Sequence, residues 1–365
     1  MSMYLPNWTS SGVMGSLGFW LVCLLAVGNG VVMKAENPFL VKSALPLEAP
    51  PFDSIKIEDY MPAFEAGMKQ QMEEIREIAE NSEAPTFENT LVRLEKSGAI
   101  LKRVSAVFFN LTNSNTTPEL QALEEQIAPR LASHMDNIML DRKLFERVEQ
   151  LWNSRNILKL SEEQMRLLEE LHQGFIRAGA KLDDKSQARV RTINEELSKA
   201  TTQFQNNLLA ITKERAVVVD RASELEGMSA ADIQAAAEAA KQKGLEGKYL
   251  LSITNTTRQP VLVSLKNRAL RQRVWEASAN RGIGENGGLD NRPLVIQLAK
   301  LRAEKANLLG FANHAEYTLQ NQMAKKPEAA MKMLSDLVPQ VVAKVRAESQ
   351  EIAKFMKQDG IEGEV

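Results

Sequence analysis

A long amphipathic segment between Lys185 and Lys213 constrains the fold of this chain more than any other feature. A spacing close to 3.6 residues places its apolar side chains on one face of a helix. Small or polar residues interrupt the stripe at 200, 201 and 207, which favours a buried helix of a larger fold over an isolated coiled coil. The apolar positions recur at intervals of three, four and seven: Val190, Ile193, Leu197, Phe204, Leu208 and Ile211.

Similar helical periodicity extends along most of the remaining chain. Leucine, alanine, glutamate, lysine and methionine are plentiful, and such helix formers favour a mainly α fold. Prolines in 36–55 predict an extended leading segment, and residues 216–220 and 248–253 predict two short strands. Pro339 predicts a kink in the last helix. The predicted helices are 57–78, 86–109, 118–131, 141–152, 161–178, 228–243, 260–279 (with Leu262, Leu265, Leu270, Val274 and Trp275 facing inward) and 327–356.

The charge balance and cysteine content exclude several classes of protein. Lysine and arginine total 45 against 47 aspartate and glutamate, so the net charge is about −2. A chain without a basic excess is not expected to bind nucleic acid. The single cysteine, Cys23, excludes an internal disulfide and leaves the redox compartment open.

Residues 13–33 form an uncharged apolar segment near the N-terminus. Its length suits a signal-peptide core or a membrane anchor, although no Lys or Arg precedes it. With 1–35 as a signal or anchor, the chain is expected to be exported or periplasmic. If translation starts at Met33 instead, a cytoplasmic location is expected. Membrane association is expected through 13–33 alone.

The stretch from Arg292 to Met323 reads as a helix, a glycine stop and a second helix. Leu294, Leu298, Leu301 and Leu308 share one helical face, widened by Val295, Ala306 and Leu309. Gly310 is suited to the left-handed residue that ends a helix. Asn313 and Glu316 have the spacing of a cap that opens the next one. No side chain of this stretch is chemically reactive.

The same stretch carries a family resemblance. Residues 301–306, 308–311 and 315–317 resemble the segment before the catalytic domain of thimet-oligopeptidase-type zinc metallopeptidases, in their bacterial peptidyl-dipeptidase branch. Shorter collinear similarities extend from about Asn37 to Gly360, among them 60–64, 85–90, 179–182, 194–197, 225–228 and 255–260.

The resemblance implies a monomeric, two-domain enzyme whose domains flank a deep channel. Residues 36–290 would form a helical channel wall, and 291–365 a helical lead-in to a zinc catalytic domain. Such enzymes remove C-terminal dipeptides from short unstructured peptides, and zinc is the cofactor expected for the full-length enzyme. The multi-helical N-terminal region of that fold, with a few short strands, is therefore the expected structure.

The catalytic motif of the family does not occur in this sequence. Its zinc site requires His-Glu-x-x-His on a helix, whereas His134, His172 and His314 each lack a second histidine four residues away. No catalytic or metal-binding residue is therefore assigned, and the substrate-binding residues are unknown. We expect the isolated chain to be an inactive fragment that binds no zinc. A stand-alone helical peptide-binding or scaffold protein derived from a peptidase is the alternative.

Other polar groups have simpler interpretations. Glu169 and His172 stand three residues apart, as in carboxylate-bridged metal bundles, but that site needs the pair twice. The histidines are expected at the surface or half-buried. Glu73–Glu74 and Glu195–Glu196 are expected on solvated helix faces. The glycine-rich run 282–288 is expected to be a loop, not a phosphate cradle. The apolar stripes 190–211 and 334–345 are expected to belong to the hydrophobic core, with partner binding as the second interpretation.

Overall fold

The computed structural model describes residues 37–284 and 288–363. The predicted signal or anchor over 13–33 and the alternative start at Met33 lie outside this described part. Within it, no helix combines the length and the apolar character that crossing a bilayer requires. Residues from Asn37 onward cluster into one compact unit.

The fold is mainly α, as predicted, with two short strands in one small sheet. The helices are α1 (Ile57–Ala79), α2 (Arg93–Lys96), α3 (Ala99–Ser114), α4 (Pro118–Met139), α5 (Arg142–Ser154), α6 (Glu162–Ala178), α7 (Asp184–Glu214), α8 (Ala230–Gln242), α9 (Asn255–Ser264), α10 (Arg268–Ala279), α11 (Arg292–Leu308), α12 (His314–Leu319) and α13 (Pro327–Gln358). The strands are β1 (Val217–Val219) and β2 (Tyr249–Leu251), and a π-helical turn, Phe87–Val92, leads into α2.

Aromatic rings hold α1 against α3 at one end of the fold. Tyr60 packs between Phe39 and Phe108 with ring centroids 5.2 Å from each. Phe64 meets Phe108 edge-to-face at 5.4 Å, a favoured arrangement for aromatic pairs. All four side chains are almost fully buried. The segment before α1, which was predicted to be extended but contains two 3₁₀ helices (Pro46–Glu48 and Phe52–Ser54), is thereby anchored through Phe39.

A second core joins the end of α1 to α5 and α6. Its buried charge is Arg147, whose guanidinium donates to the carbonyl oxygens of Asn81 and Glu83 at 2.8 and 3.0 Å. It also reaches the side chains of Asn89 and Thr90. These bonds fix the loop between α1 and the π-helical turn, because a buried guanidinium needs acceptors.

The third core lies under the small sheet. β1 and β2 pair antiparallel with Val217 opposite Leu251 and Val219 opposite Tyr249. Their apolar side chains pack with α8, α9 and α10 through Ala236, Val261 and Val274. Both predicted strands are confirmed, each shorter than predicted.

Helix α7 is the predicted long helix, and it packs against both α4 and α11. Val190, Ile193 and Ile211 of its stripe are buried, whereas Leu208 is partly exposed. The core interpretation of 190–211 is thus confirmed for these three positions. At 31 residues it is one residue shorter than α13.

Two predicted helices are each divided in the structure. The segment 86–109 breaks at Gly98, whose φ of 71° lies in the left-handed region. The N–H of Gly98 donates a 2.8 Å hydrogen bond to the Glu74 carboxylate. The segment 260–279 breaks before Asn267, whose side chain caps α10 by accepting from the N–H of Leu270. The inward orientation predicted for Trp275 is wrong, since 59% of this residue is exposed.

The last helix contradicts the core interpretation of its stripe. α13 runs from Pro327 to Gln358 with Pro339 inside it, and it contains no buried residue. Its periodicity identifies an apolar face correctly but cannot show what covers that face. The apolar side chains that are at least half exposed include Met331, Leu334, Leu337, Val338, Val341, Val345 and Phe355.

Two helical glycines provide a matched test of close packing. A Cβ at Gly67 would lie 2.9 Å from the backbone nitrogen of Leu101 in α3, whereas one at Gly174 would meet only the Met139 methyl at 3.5 Å. We expect Gly67→Ala to lower the free energy of unfolding by about 1–3 kcal/mol. Gly174→Ala should raise it by about 0.5–1 kcal/mol, the helix propensity gain. Urea titration followed by circular dichroism measures both, and equal effects would contradict this packing.

Candidate ligand-binding cleft

The segment Arg292–Met323 folds as predicted. Gly310 follows α11 with a φ of 84°. The Asn313 side chain then accepts from the N–H of Glu316 at 2.9 Å, and the Glu316 carboxylate accepts from the N–H of Ala312 at 2.8 Å. Within the stripe of α11, Leu298, Leu301 and Ala306 are buried, but Val295 is exposed. This tight connection sets α12 against the end of α11.

Helix α11 is fixed to α7 by a two-pronged ion pair. The Arg189 guanidinium donates from Nε and one terminal nitrogen to the two oxygens of Glu304, at 2.6 and 2.7 Å. Bidentate pairs of this kind fix orientation as well as distance. The next residue, Lys305, is thereby directed towards α4 and α6.

A chain of polar side chains crosses three helices at this point. The carboxylate of Asp136 on α4 accepts from Nδ2 of Asn194 on α7 at 2.7 Å. The Asn194 Oδ1 in turn accepts from the Lys305 ammonium at 2.6 Å. The residues are 58 and 111 positions apart in the chain, so tertiary packing alone brings them together.

Burial shapes the electrostatics of this polar chain. Desolvation raises the pKa of Asp136, opposed by the Asn194 hydrogen bond and the charges of Lys305 and Arg191. Desolvation likewise lowers the pKa of Lys305, opposed by the Asp136 carboxylate. Asp136 is 7% exposed, and its Oδ2 has no hydrogen-bond partner within the described residues.

A second cation lies beside the same site. The Arg177 guanidinium of α6 stacks on the Tyr317 ring at 4.5 Å from its centroid, and it donates to the Tyr317 carbonyl oxygen at 2.7 Å. The Lys305 ammonium lies 5.8 Å from the same ring. Cation–π contacts of this kind position a charge without neutralising it. Arg177 and Lys305 therefore outweigh the single carboxylate of Asp136.

These groups form the polar end of an open cleft of about 610 Å³. That volume lies in the range of small-molecule sites, which combine apolar walls with a few convergent polar groups. The cleft therefore suits a ligand with a charged or polar end and an apolar body. Its remaining walls are Ala132, Met135, Met139, Gly174, Ala178, Leu197, Ser198, Thr201 and Thr202.

The histidines stand on three different helices, and none of them is among the residues that line this cleft. His134 and His172 are buried, so the expectation of surface or half-buried positions is wrong for both; His314 is half-buried. The His134 ring bonds the Gln71 side chain at 2.7 Å. His172 stacks on Trp152 and Phe145, with centroids 4.8 and 5.9 Å away. Aromatic packing explains the burial of His172.

The described residues do not fit a zinc site. Among the described residues, no group of three or more histidine, cysteine, aspartate or glutamate side chains is placed to hold a metal ion. Glu169, the partner considered for His172, instead pairs with Arg166 at 2.8 Å and accepts from Gln173. The zinc expected for the full-length family enzyme therefore finds no set of ligands among the described residues.

The other candidate groups have local roles. Glu195 pairs with Lys199 at 2.6 Å, and Glu196 approaches Arg189 at 3.4 Å. Glu73 is exposed, whereas Glu74 is half-buried. In the glycine-rich run, residues 285–287 lie outside the described part. Ile283 forms an isolated antiparallel β-bridge with Asp290.

Comparison with known proteins supports the family resemblance. Residues 261–365 match peptidase family M3. The chain is 43% identical over 323 residues to dipeptidyl carboxypeptidase of Escherichia coli K12, covering 88% of this chain and 47% of that protein. The corresponding Salmonella typhimurium protein is 41% identical over 90% of this chain and 48% of its own length. These matches show similarity to peptidase family M3 over residues 261–365 and to two dipeptidyl carboxypeptidases along most of the chain.

Other M3 relatives are more distant. Oligopeptidase A of Escherichia coli K12 is 28% identical over 88% of this chain and 47% of that protein. The chain thus spans about half the length of the curated relatives it matches. The resemblance found from short collinear motifs is confirmed.

Sequence reasoning did not find the cleft. A usable signal was present, because Asn194, Lys305 and Asp136 each stand within two residues of buried positions, namely Ile193, Ala306 and Ile138. Polar residues beside a buried stripe need partners. Which partners they find depends on contacts between helices, and those are not visible in one sequence.

Burial of His172 predicts an acid-sensitive stability. Burial and the nearby charge of Lys181 lower the pKa of His172. As pH falls through the ordinary histidine value of about 6.5, the unfolded chain binds the proton more readily, so stability is lost. We expect His172→Phe to reduce the loss of unfolding free energy between pH 7.5 and 5.5. Urea titrations at both pH values measure this loss of unfolding free energy. His314→Phe, at a more exposed histidine, is the comparison variant. If His172→Phe left the loss unchanged, His172 would not be its cause.

Proposed function

We propose that this chain forms the helical channel wall of a zinc metallopeptidase that removes dipeptides from the C-termini of short, unstructured peptides. The observation that carries the proposal is the 43% identity with a dipeptidyl carboxypeptidase along 88% of the chain. In this proposal the chain helps to hold and orient the peptide. The metal and the groups that activate water belong to the portion of the relatives that this chain does not match.

The apolar face of α13 supports the proposal. It presents Leu334, Leu337, Val341 and Val345, each 52–55% exposed, along one side of a 32-residue helix. Contiguous exposed apolar patches on soluble proteins mark interaction surfaces. The occupant that we propose is the remainder of an M3 peptidase, because the matched relatives are about twice as long as this chain.

The alternative is a stand-alone helical protein that binds peptides without cleaving them. The cleft at Asp136 and Lys305 favours it, because this site is built entirely from residues of the chain. Both functions place a peptide against the same helices, and they differ in whether a metal centre is added. The location stays a prediction: exported if residues 1–35 are a signal or anchor, and cytoplasmic if translation starts at Met33. The monomeric state is also a prediction.

Peptidase activity should depend on the unmatched portion of the relatives. We expect purified 1–365 to release no dipeptide from a short peptide. Its co-expression with the portion of the Escherichia coli enzyme that it does not match should restore release that a zinc chelator abolishes. The assay is chromatographic detection of dipeptides, with each part alone as control. Chelator-sensitive release by 1–365 alone would contradict the division of roles.

The apolar face of α13 should be required for that association. We expect Leu337→Gln combined with Val341→Gln to weaken co-purification of the two parts at least tenfold, because the interface loses buried apolar area. The matched control is Ser335→Gln combined with Glu351→Gln, two exposed polar positions of the same helix. Equal co-purification of both double variants would show that this face is not the interface.

A further inference from the structure

We propose that a pocket between α8, β2 and α9 binds a small ammonium compound whose apolar body is about the size of one aromatic ring. This site, the α8–α9 pocket, lies in the third core and shares no residue with the cleft described above. The inference goes beyond the proposed function, because it requires neither a metal nor a peptide. The lining of the pocket includes Met228, Asp232, Ala239, Leu251, Thr257 and Val261.

Small side chains on α8 leave the room for this pocket. Three of the four α8 residues in its lining are alanines, which fill little space. Leu251 of β2 and Val261 of α9 are buried and add to the apolar lining. The four α8 residues are spaced as i, i+3, i+4 and i+7 and therefore share one face of the helix, namely Asp232, Ala235, Ala236 and Ala239.

The volume of the pocket limits the size of the ligand. About 160 Å³ is open within it. An engineered apolar cavity of roughly 150 Å³ binds benzene, whereas sites for drug-sized ligands occupy roughly 300–1,000 Å³. A compound with one ring therefore fits, and a compound with two fused rings is too large.

Asp232 determines the charge that the pocket favours. Among the described residues of the lining, it is the one with an ionisable side chain. Its Oδ2 accepts from the Ser229 hydroxyl at 2.7 Å, and no described residue donates to its Oδ1. Asp232 is exposed, so a ligand can reach its carboxylate. A cation is the ligand that such a carboxylate favours, because a charge-assisted hydrogen bond is stronger than a neutral one.

The threonine hydroxyls of the pocket offer a ligand acceptors in place of donors. Thr257 donates its one hydroxyl proton to the Ser252 carbonyl oxygen at 2.7 Å. The 2.7 Å contact between Thr254 and Thr257 therefore uses the Thr254 proton, and the 3.2 Å contact between Thr254 and Thr256 uses the Thr256 proton. Lone pairs are what Thr256 and Thr257 still have available. An ammonium group carries three donors and matches these lone pairs and the Asp232 carboxylate.

Methyl NMR of the full 1–365 chain, labelled with carbon-13 at the methionine methyl groups, tests the proposal with benzylammonium as the probe. Met228 lines the pocket, so its resonance should shift and saturate; Met228→Leu assigns that resonance. We expect a dissociation constant on the order of 1 mM, as for a ligand of about eight non-hydrogen atoms. Benzyl alcohol and benzoate have the same ring without a positive charge, and both should bind about tenfold more weakly or not at all.

Two pairs of variants on α8 separate the effect of charge from the effect of shape. Asp232→Asn should weaken benzylammonium binding about tenfold and leave benzyl alcohol binding unchanged, because it removes only the charge. Its matched control is Glu238→Gln, an exposed residue outside the lining. Ala239→Leu should abolish binding of both ligands, because the larger side chain fills the pocket. Its matched control is Ala231→Leu, also exposed and outside the lining.

Three results would overturn the proposal. They are no saturable shift of the Met228 resonance up to about 20 mM benzylammonium, a range that reaches weak affinities, benzoate binding as tight as benzylammonium binding, and equal loss in a variant and its matched control. Circular dichroism verifies that each variant is folded, and the three ligands alone test the site if Ala239→Leu does not fold. Failure here leaves the co-expression result unaffected, so the two proposals are tested separately.

Discussion

The packing of α7 against two partners is the constraint on which the rest of this structure depends. A 31-residue helix that meets α4 on one side and α11 on another must present side chains for both. Val190 and Ile193 are buried, while the Arg189–Glu304 pair fixes the register with α11. Buried apolar area supplies the driving force, and the ion pair supplies geometry, because partly exposed pairs add little stability.

Helix positions could be predicted from the sequence wherever the reason for an element was local. The periodic stripes of α1, α4 and α7 and the glycine stop after α11 are all local signals, and each is present in the structure. The breaks at Gly98 and Asn267 were missed, since apolar periodicity continues across both. In each case a hydrogen bond at the start of the next helix accompanies the break, from the Gly98 N–H to Glu74 or from the Leu270 N–H to Asn267, and periodicity does not report it.

The environment of an apolar face could not be predicted, for a different physical reason. Periodicity records that a face is apolar, and burial depends on what packs against it. In α7 the same kind of stripe is covered by α4 and α11, whereas in α13 the stripe is exposed. The error for Trp275 is similar, because α10 buries Leu270 and Val274 under the sheet and leaves the tryptophan outside.

The cleft belongs to the least predictable level, since its polar groups come from five helices. Asn194 can occupy a half-buried position because Asp136 and Lys305 satisfy both ends of its amide. Exchanging any one of the three leaves a donor or acceptor unpaired in a poorly solvated place, so they act as a unit. Tyr317 completes this unit from α12, and α12 also packs against α13. The same short helix therefore lines the cleft and contacts α13.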